Sequence, residues 1–186
     1  MISILTLWIP ILVAAVIVFL VSSLIQKVFT YHRSDFRKLS SEAEVMDDLR
    51  KRNIPAGEYF FPRAFTSKEM KSEDYKAKVE KGPSGFLTIV KNAQHSLVPS
   101  LIQWFLYSII INIFAAYISG RVLAPGAHYL EVFRIVGTVS FLSYALGMWQ
   151  DSIWFFRSWT TTLKYTFDGL IYALLTAGTF GWLWPS

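Results

Sequence analysis

The sequence predicts an all-α integral membrane protein: four transmembrane helices, with a small α/β-like cytoplasmic loop layer between the first and the second. Three observations lead there. Hydrophobic residues make up 53% of the 186 and charged residues 17%, where a soluble globular chain carries about 25% charged. The charge is also segregated: 14 of 18 Lys and Arg lie between Lys27 and Lys91, and 10 of 13 acids between Asp35 and Glu80. Outside that region the chain consists of apolar runs of roughly twenty residues, the length that crosses a bilayer core.

The first span is expected at residues 4–25, interrupted only by Pro10 near its start. No Lys or Arg precedes it, whereas Lys27, Arg33, Arg37 and Lys38 come after it. Positive charge collects on the cytoplasmic side of a span, so the N-terminus is expected outside and the loop inside. The run lacks a basic n-region and is too long for the apolar core of a signal peptide; it is expected to stay attached. Being nearly uniform in Leu, Ile and Val, this helix is expected to be the most lipid-exposed of the four, tolerant of Val18→Leu, and the fourth the most buried.

Residues 26–96 form the basic loop layer. Ser40 and Ser41, followed by Glu42 and Glu44 and closed by Arg50 and Lys51, predict a helix with its charges matched to the helix dipole. Next come an extended piece around residues 57–62, a second polar helix from Thr66 or Ser67 to Lys81, and a strand over 86–90. So few short elements cannot bury a large core. The layer is expected to rest on the membrane surface or on a partner.

The second span is expected at 97–118 and the third at 129–149, joined by a Gly- and Pro-bearing turn. An interfacial connection at 150–162 precedes the fourth span at 163–182. Alternation places both termini in the periplasm. Most tryptophans, including Trp8, Trp149, Trp159 and Trp182, then lie at membrane boundaries, where indole prefers to sit. Trp104 is the exception.

Asp168 carries the most information. A carboxylate at bilayer depth costs a few kcal/mol and normally faces a bundle interior. Lys164, four residues earlier on the same helical face, is the expected ion-pair partner, with Ser100 and Gln103 of the second span as hydrogen-bonding neighbours. A structural clasp is the leading reading, and proton or ion handling the alternative. Glu131 and Arg134, spaced i to i+3, are expected to form a local ion pair at the outer end of the third span. Gly169, Ala173, Ala177 and Gly181 recur every four residues, a small-residue stripe that allows helices in lipid to approach closely. Asp168, Tyr172 and Thr176 run beside it.

No catalytic residue, metal site or cofactor is predicted. The chain has no cysteine, which removes disulfides, thiolate metal sites and cysteine nucleophiles. Bis-histidine haem needs two ligands at one depth, and His32, His95 and His128 do not supply them. Phosphate-loop, nucleophile-elbow, zinc-protease and dinucleotide signatures are missing. The net charge of +5 is a topology signal, since the basic residues are interleaved with acids; nucleic acid is not an expected partner. The expected partners are the lipid bilayer and other membrane subunits or further copies of the chain.

The segments Tyr31-His-Arg-Ser-Asp35, Gly82-Pro-Ser-Gly-Phe-Leu-Thr88, Leu123-Ala-Pro-Gly-Ala-His-Tyr129 and Asp168-Gly-Leu-Ile-Tyr172 through Gly181-Trp-Leu-Trp-Pro185 resemble a family of small four-helix bacterial inner-membrane proteins. The resemblance covers nearly the whole chain. It implies a bacterial inner membrane and assigns no catalytic residue. The sequence therefore leads to a non-catalytic accessory or scaffold subunit. A small transporter or channel component using Asp168 is the first alternative. An interfacial lipid- or quinone-acting enzyme built on His32, Asp35 and His95 is the second.

Overall fold

The computed structural model describes residues 1–91 and 96–186. In chain order the elements are α1 (Trp8–Val28), α2 (Glu42–Lys51), β1 (Gly57–Phe61), α3 (Ser67–Met70), α4 (Glu73–Lys81), β2 (Gly85–Ile89), α5 (Leu97–Val122), α6 (Tyr129–Tyr144), α7 (Trp149–Trp154) and α8 (Trp159–Trp182). Short 3-10 turns stand at Ile4–Leu7, Thr30–Ser34 and Leu146–Met148. The chain divides into two units, one of Met1–Arg37 with Ser96–Ser186 and one of Lys38–His95.

In the first unit, α1, α5, α6 and α8 pack on one another, with α6 and α8 in the most extensive contact. Small side chains set the closeness. A methyl group added at Gly169 would fall 2.9 Å from Ala145 Cβ, and one at Gly137 would fall 3.2 Å from Ala177 Cβ. Ala14, Ala115, Ala116 and Ala177 share one core cluster with Leu7, Ile11, Val132, Val136 and Phe180. A second cluster joins Val18, Ile25, Ile111, Tyr144 and Tyr172.

Three helical stretches among the described residues are long and apolar enough to cross a membrane: Ile4–Val28, Leu97–Val122 and Tyr129–Trp154. α8 is not one of them. Its length suffices at 24 residues, but Lys164, Asp168 and a series of threonines lower its hydropathy. The third stretch is not one continuous helix. α6 stops at Tyr144, and the Leu146–Met148 turn and α7 complete it, where Ala145 meets Gly169 of α8.

α1 is not the most exposed helix. Its most apolar window is 33% buried, against 28% for each of the other two stretches, and Val18 is fully buried. The reason is that α1 packs against both α5 and α8 through a face of Ala14, Ala15, Val18 and Ser22. α8 buries Asp168, Gly169, Tyr172, Ala173, Thr176 and Ala177 along one side.

The second unit pairs β1 and β2 antiparallel, from Gly57 opposite Ile89 to Phe61 opposite Gly85. Phe60 and Phe86 lie side by side across the pair, 4.7 Å between ring centres. The second polar helix expected between Thr66 and Lys81 is in fact two helices. Thr66 and Glu69 close a capping box on α3, and Ser72 then caps α4 by accepting from the Tyr75 amide. No described residue of this unit is fully buried, as befits so small a set of elements.

Candidate functional site: a buried Asp–His–Asp–Lys cluster

α1 ends at Val28, and the 3-10 turn Thr30–Ser34 beyond it turns Tyr31, His32 and Asp35 onto α8. Asp168 is 1% exposed. Its Oδ1 accepts from the Tyr31 hydroxyl, and its Oδ2 lies 2.7 Å from His32 Nε2. The other imidazole nitrogen, Nδ1, lies 2.7 Å from Asp35 Oδ2. Asp35 Oδ1 in turn accepts from Lys164 Nζ at 2.8 Å. Lys164 directs its remaining two protons to the Tyr31 carbonyl at 2.6 Å and Ser34 Oγ at 2.7 Å.

One imidazole thus bridges two buried carboxylates. Protons on both nitrogens satisfy this geometry, because an ionised carboxylate only accepts. With Lys164 the cluster then holds two positive and two negative charges, and each is hydrogen-bonded. Such saturation is what a buried ionic group requires to be tolerated. Burial by itself opposes ionisation of Asp35, but hydrogen bonds and charge from Lys164 and His32 outweigh it and hold the carboxyl below its usual range. Burial, and after it the Asp168 carboxylate, push the Tyr31 phenol well above its usual range, so it stays protonated and donating.

Aromatic rings enclose the imidazole. Tyr31 and Tyr165 lie 4.3 and 4.7 Å from it, centre to centre. The Arg157 guanidinium sits 4.9 Å above the Tyr165 ring and also reaches Asp151. Trp104, Tyr144 and Tyr172 pack on one another edge to face or tilted, at 5.7 to 6.2 Å. Trp104, the tryptophan out of place at a membrane boundary, donates its indole N–H to Ser22 Oγ at 2.8 Å and so ties α5 to α1.

Asp168 and Lys164, both predicted from the sequence, stand in the cluster, but not as a pair. Lys164 binds Asp35, and Asp168 binds Tyr31 and His32. Gln103 and Ser100 are exposed and take no part. Among the described residues, no ion pair joins Glu131 and Arg134; both are exposed on α6. Ala173 and Ala177 are buried, Gly169 meets Ala145, and Gly181 lies against the Tyr129 ring. His95 lies outside the described residues. Tyr31 is the member of the cluster that sequence reasoning misses. Its one signal is the Tyr31–Asp35 segment itself, which sets His32 and Asp35 three residues apart directly after an apolar run.

Among the described residues no group of His, Asp and Glu is placed to hold a metal ion, and both nitrogens of His32 are engaged. Among the described residues a separate set of buried polar atoms includes Asn112 Oδ1 and Ser140 Oγ, which have no hydrogen-bond partner, and the Tyr144 hydroxyl, which lies beside those of Ser108 and Thr176.

The first unit is therefore a mostly helical bundle with three helices long and apolar enough to cross a membrane and a buried charge cluster pinning the end of one to α8. Comparison with protein-family models, with curated proteins and with solved structures yields no match to this chain.

Proposed function

We propose that the chain is a non-catalytic four-span protein of a bacterial inner membrane, acting as an accessory or scaffold subunit of a larger complex. α8 is its fourth span. At about 1.5 Å per residue its 24 residues reach about 36 Å, enough for a bilayer core. Asp168, Tyr172, Thr176 and Thr179 along its length are buried, so a modest mean hydropathy is no obstacle. The loop layer faces the cytoplasm and both termini face the periplasm, in keeping with the basic residues that come after α1.

One observation carries the scaffold reading. Every side-chain oxygen and nitrogen of Asp35, His32, Asp168 and Lys164 is engaged by another group of the same chain. A cluster whose members saturate one another within one chain favours a role in holding α1 to α8. Purification in mild detergent tests the proposal. Stoichiometric recovery of the chain with other membrane subunits, or as an oligomer, is the expected result, and a monodisperse monomer would sink it. Reporter fusions at Ala56 and Ser186 test the orientation, and a periplasm-only reporter active at Ala56 would reverse it.

A specific observation favours a second reading, transport through the bundle. Buried polar side chains of α5, α6 and α8 gather inside the bundle, with Asn112 Oδ1 and Ser140 Oγ unpartnered among the described residues and Tyr144 beside Thr176, and Thr176 continues the Asp168–Tyr172 stripe. Proton or ion flux in proteoliposomes, abolished by Asp168→Asn, would promote that reading over the scaffold. No comparable observation favours an interfacial enzyme, since His32 offers no free nitrogen as a base.

A further inference from the structure

α6 has two unlike faces. Val132, Val136, Ser140 and Tyr144 recur every four residues and are buried. Glu131, Arg134, Thr138 and Leu142 recur at three or four and are all exposed, so they form a second stripe along one side of the helix. Among the described residues neither the Glu131 carboxylate nor the Arg134 guanidinium makes an ion pair or hydrogen bond. Charged groups within a membrane span ordinarily face the bundle interior and pair there. These two face outward, unpaired, in the first two turns of a span.

We infer that this face of α6 is a self-association surface, on which Glu131 of one copy pairs with Arg134 of a second and the reverse pair forms across a two-fold axis. The inference rests on the proposed reading of α6 as a membrane span. Copies in one membrane share an orientation, so the axis runs along the membrane normal and like residues stand at equal depth. Arg134 lies three residues below Glu131, about 4.5 Å along the helix. Both side chains lean toward the N-terminus, and the longer Arg134 side chain can span the remaining offset to the Glu131 carboxylate of a second copy. Each copy then offers one donor and one acceptor to its mate, the self-complementarity that a two-fold interface demands. A lipid phosphate would suit Arg134 but repel Glu131. A second copy suits both.

The absence of cysteine makes the test direct. Thr138→Cys, mildly oxidised in native membranes, should yield a disulfide-linked dimer; Leu24→Cys, on the exposed side of α1, should not. Glu131→Arg or Arg134→Glu, added singly to the Thr138→Cys chain, should lower cross-linking about tenfold by setting like charges against each other. The combined Glu131→Arg/Arg134→Glu chain should recover it. A normally accumulating Thr138→Cys chain that stays monomeric overturns the inference. So does loss on single reversal without recovery in the double, because a lipid headgroup or a different subunit then holds the pair. A subunit of a different kind recovered in detergent without this cross-link would leave the scaffold reading standing and remove only the self-association.

Discussion

His32 Nε2 and Asp168 Oδ2 are 136 residues apart in sequence and 2.7 Å apart in space. The same imidazole holds Asp35 at its other nitrogen, so the turn after α1 and α8 are joined through one ring. The cost of replacing any member of the cluster depends on how many of these hydrogen bonds the new side chain can keep.

Asp168→Asn keeps an acceptor for Tyr31 and presents an amide to His32, which can accept it if its remaining proton sits on Nδ1 toward Asp35. The expected loss is about 1–3 kcal/mol, with accumulation and phenotype retained. Asp168→Leu leaves the Tyr31 hydroxyl and His32 Nε2 without an acceptor in a buried place, and about 3–5 kcal/mol of loss is expected. Thermal unfolding in detergent reads the difference. Normal accumulation of the Asn variant together with complete loss of phenotype would replace the scaffold reading by proton or ion handling.

Removing the bridge should cost more than removing an end. His32→Leu takes the donor from one oxygen of each of two buried carboxylates, Asp35 and Asp168, whereas Lys164→Met takes it from one oxygen of Asp35 and from the Tyr31 carbonyl and Ser34 Oγ, which lie nearer solvent. His32→Leu is expected to lower the unfolding temperature further than Lys164→Met, and the reverse order would show that Lys164 anchors the cluster.

Acid should loosen the clasp. Asp35 titrates below its unfolded value, so its contribution is present above the ordinary carboxylate pKa of about 3.9 and disappears as pH falls through the lower folded value. Unfolding temperature should fall below about pH 4, and Asp35→Asn should flatten that part of the profile. Tyr31, shifted upward, contributes stability that is complete below about pH 10 and declines only above it. A wild-type profile that falls no more steeply with acid than the Asp35→Asn profile would refute the assignment.

Close packing between α6 and α8 gives a separate expectation. Gly169→Leu and Ala177→Leu insert bulk where Ala145 and Gly137 already touch; each should cost at least about 1–3 kcal/mol and disturb assembly. Val18→Leu should also cost, since Val18 is fully buried. Leu20, 60% exposed on α1, is the tolerant site, and Leu20→Val should leave detergent stability unchanged. Equal losses at Leu20 and Ala177 would contradict this arrangement.

What periodicity can encode determines how much of the fold and the cluster is legible in the sequence. Apolar length gives three of the long helices directly. Asp168 stands out because a carboxylate is anomalous inside an apolar run. Its partners do not, because spacing rules relate residues three or four apart and Tyr31 and His32 lie far upstream. The same rule misassigns Lys164: the i to i+4 spacing points to Asp168, but the 3-10 turn and the residue after it offer the ammonium three oxygens within 2.8 Å. Val18 misleads for another reason. A helix meeting lipid on one side and protein on the other uses the same Leu, Ile and Val on both, so composition does not reveal which side turns inward. The break of α6 at Tyr144 has no proline to announce it; it is visible only where Ala145 touches Gly169.

The distance in sequence between the two halves of the clasp is also a distance in time. At synthesis rates of about 5–20 residues per second, Asp168 leaves the ribosome roughly 7–27 s after His32. Through that interval Tyr31, His32 and Asp35 stand at the end of α1 without the groups on α8 that they bind. The first helix is thus made early and fastened late, and a chain that stalls before α8 carries at the end of α1 three side chains whose partners on α8 have not yet been made.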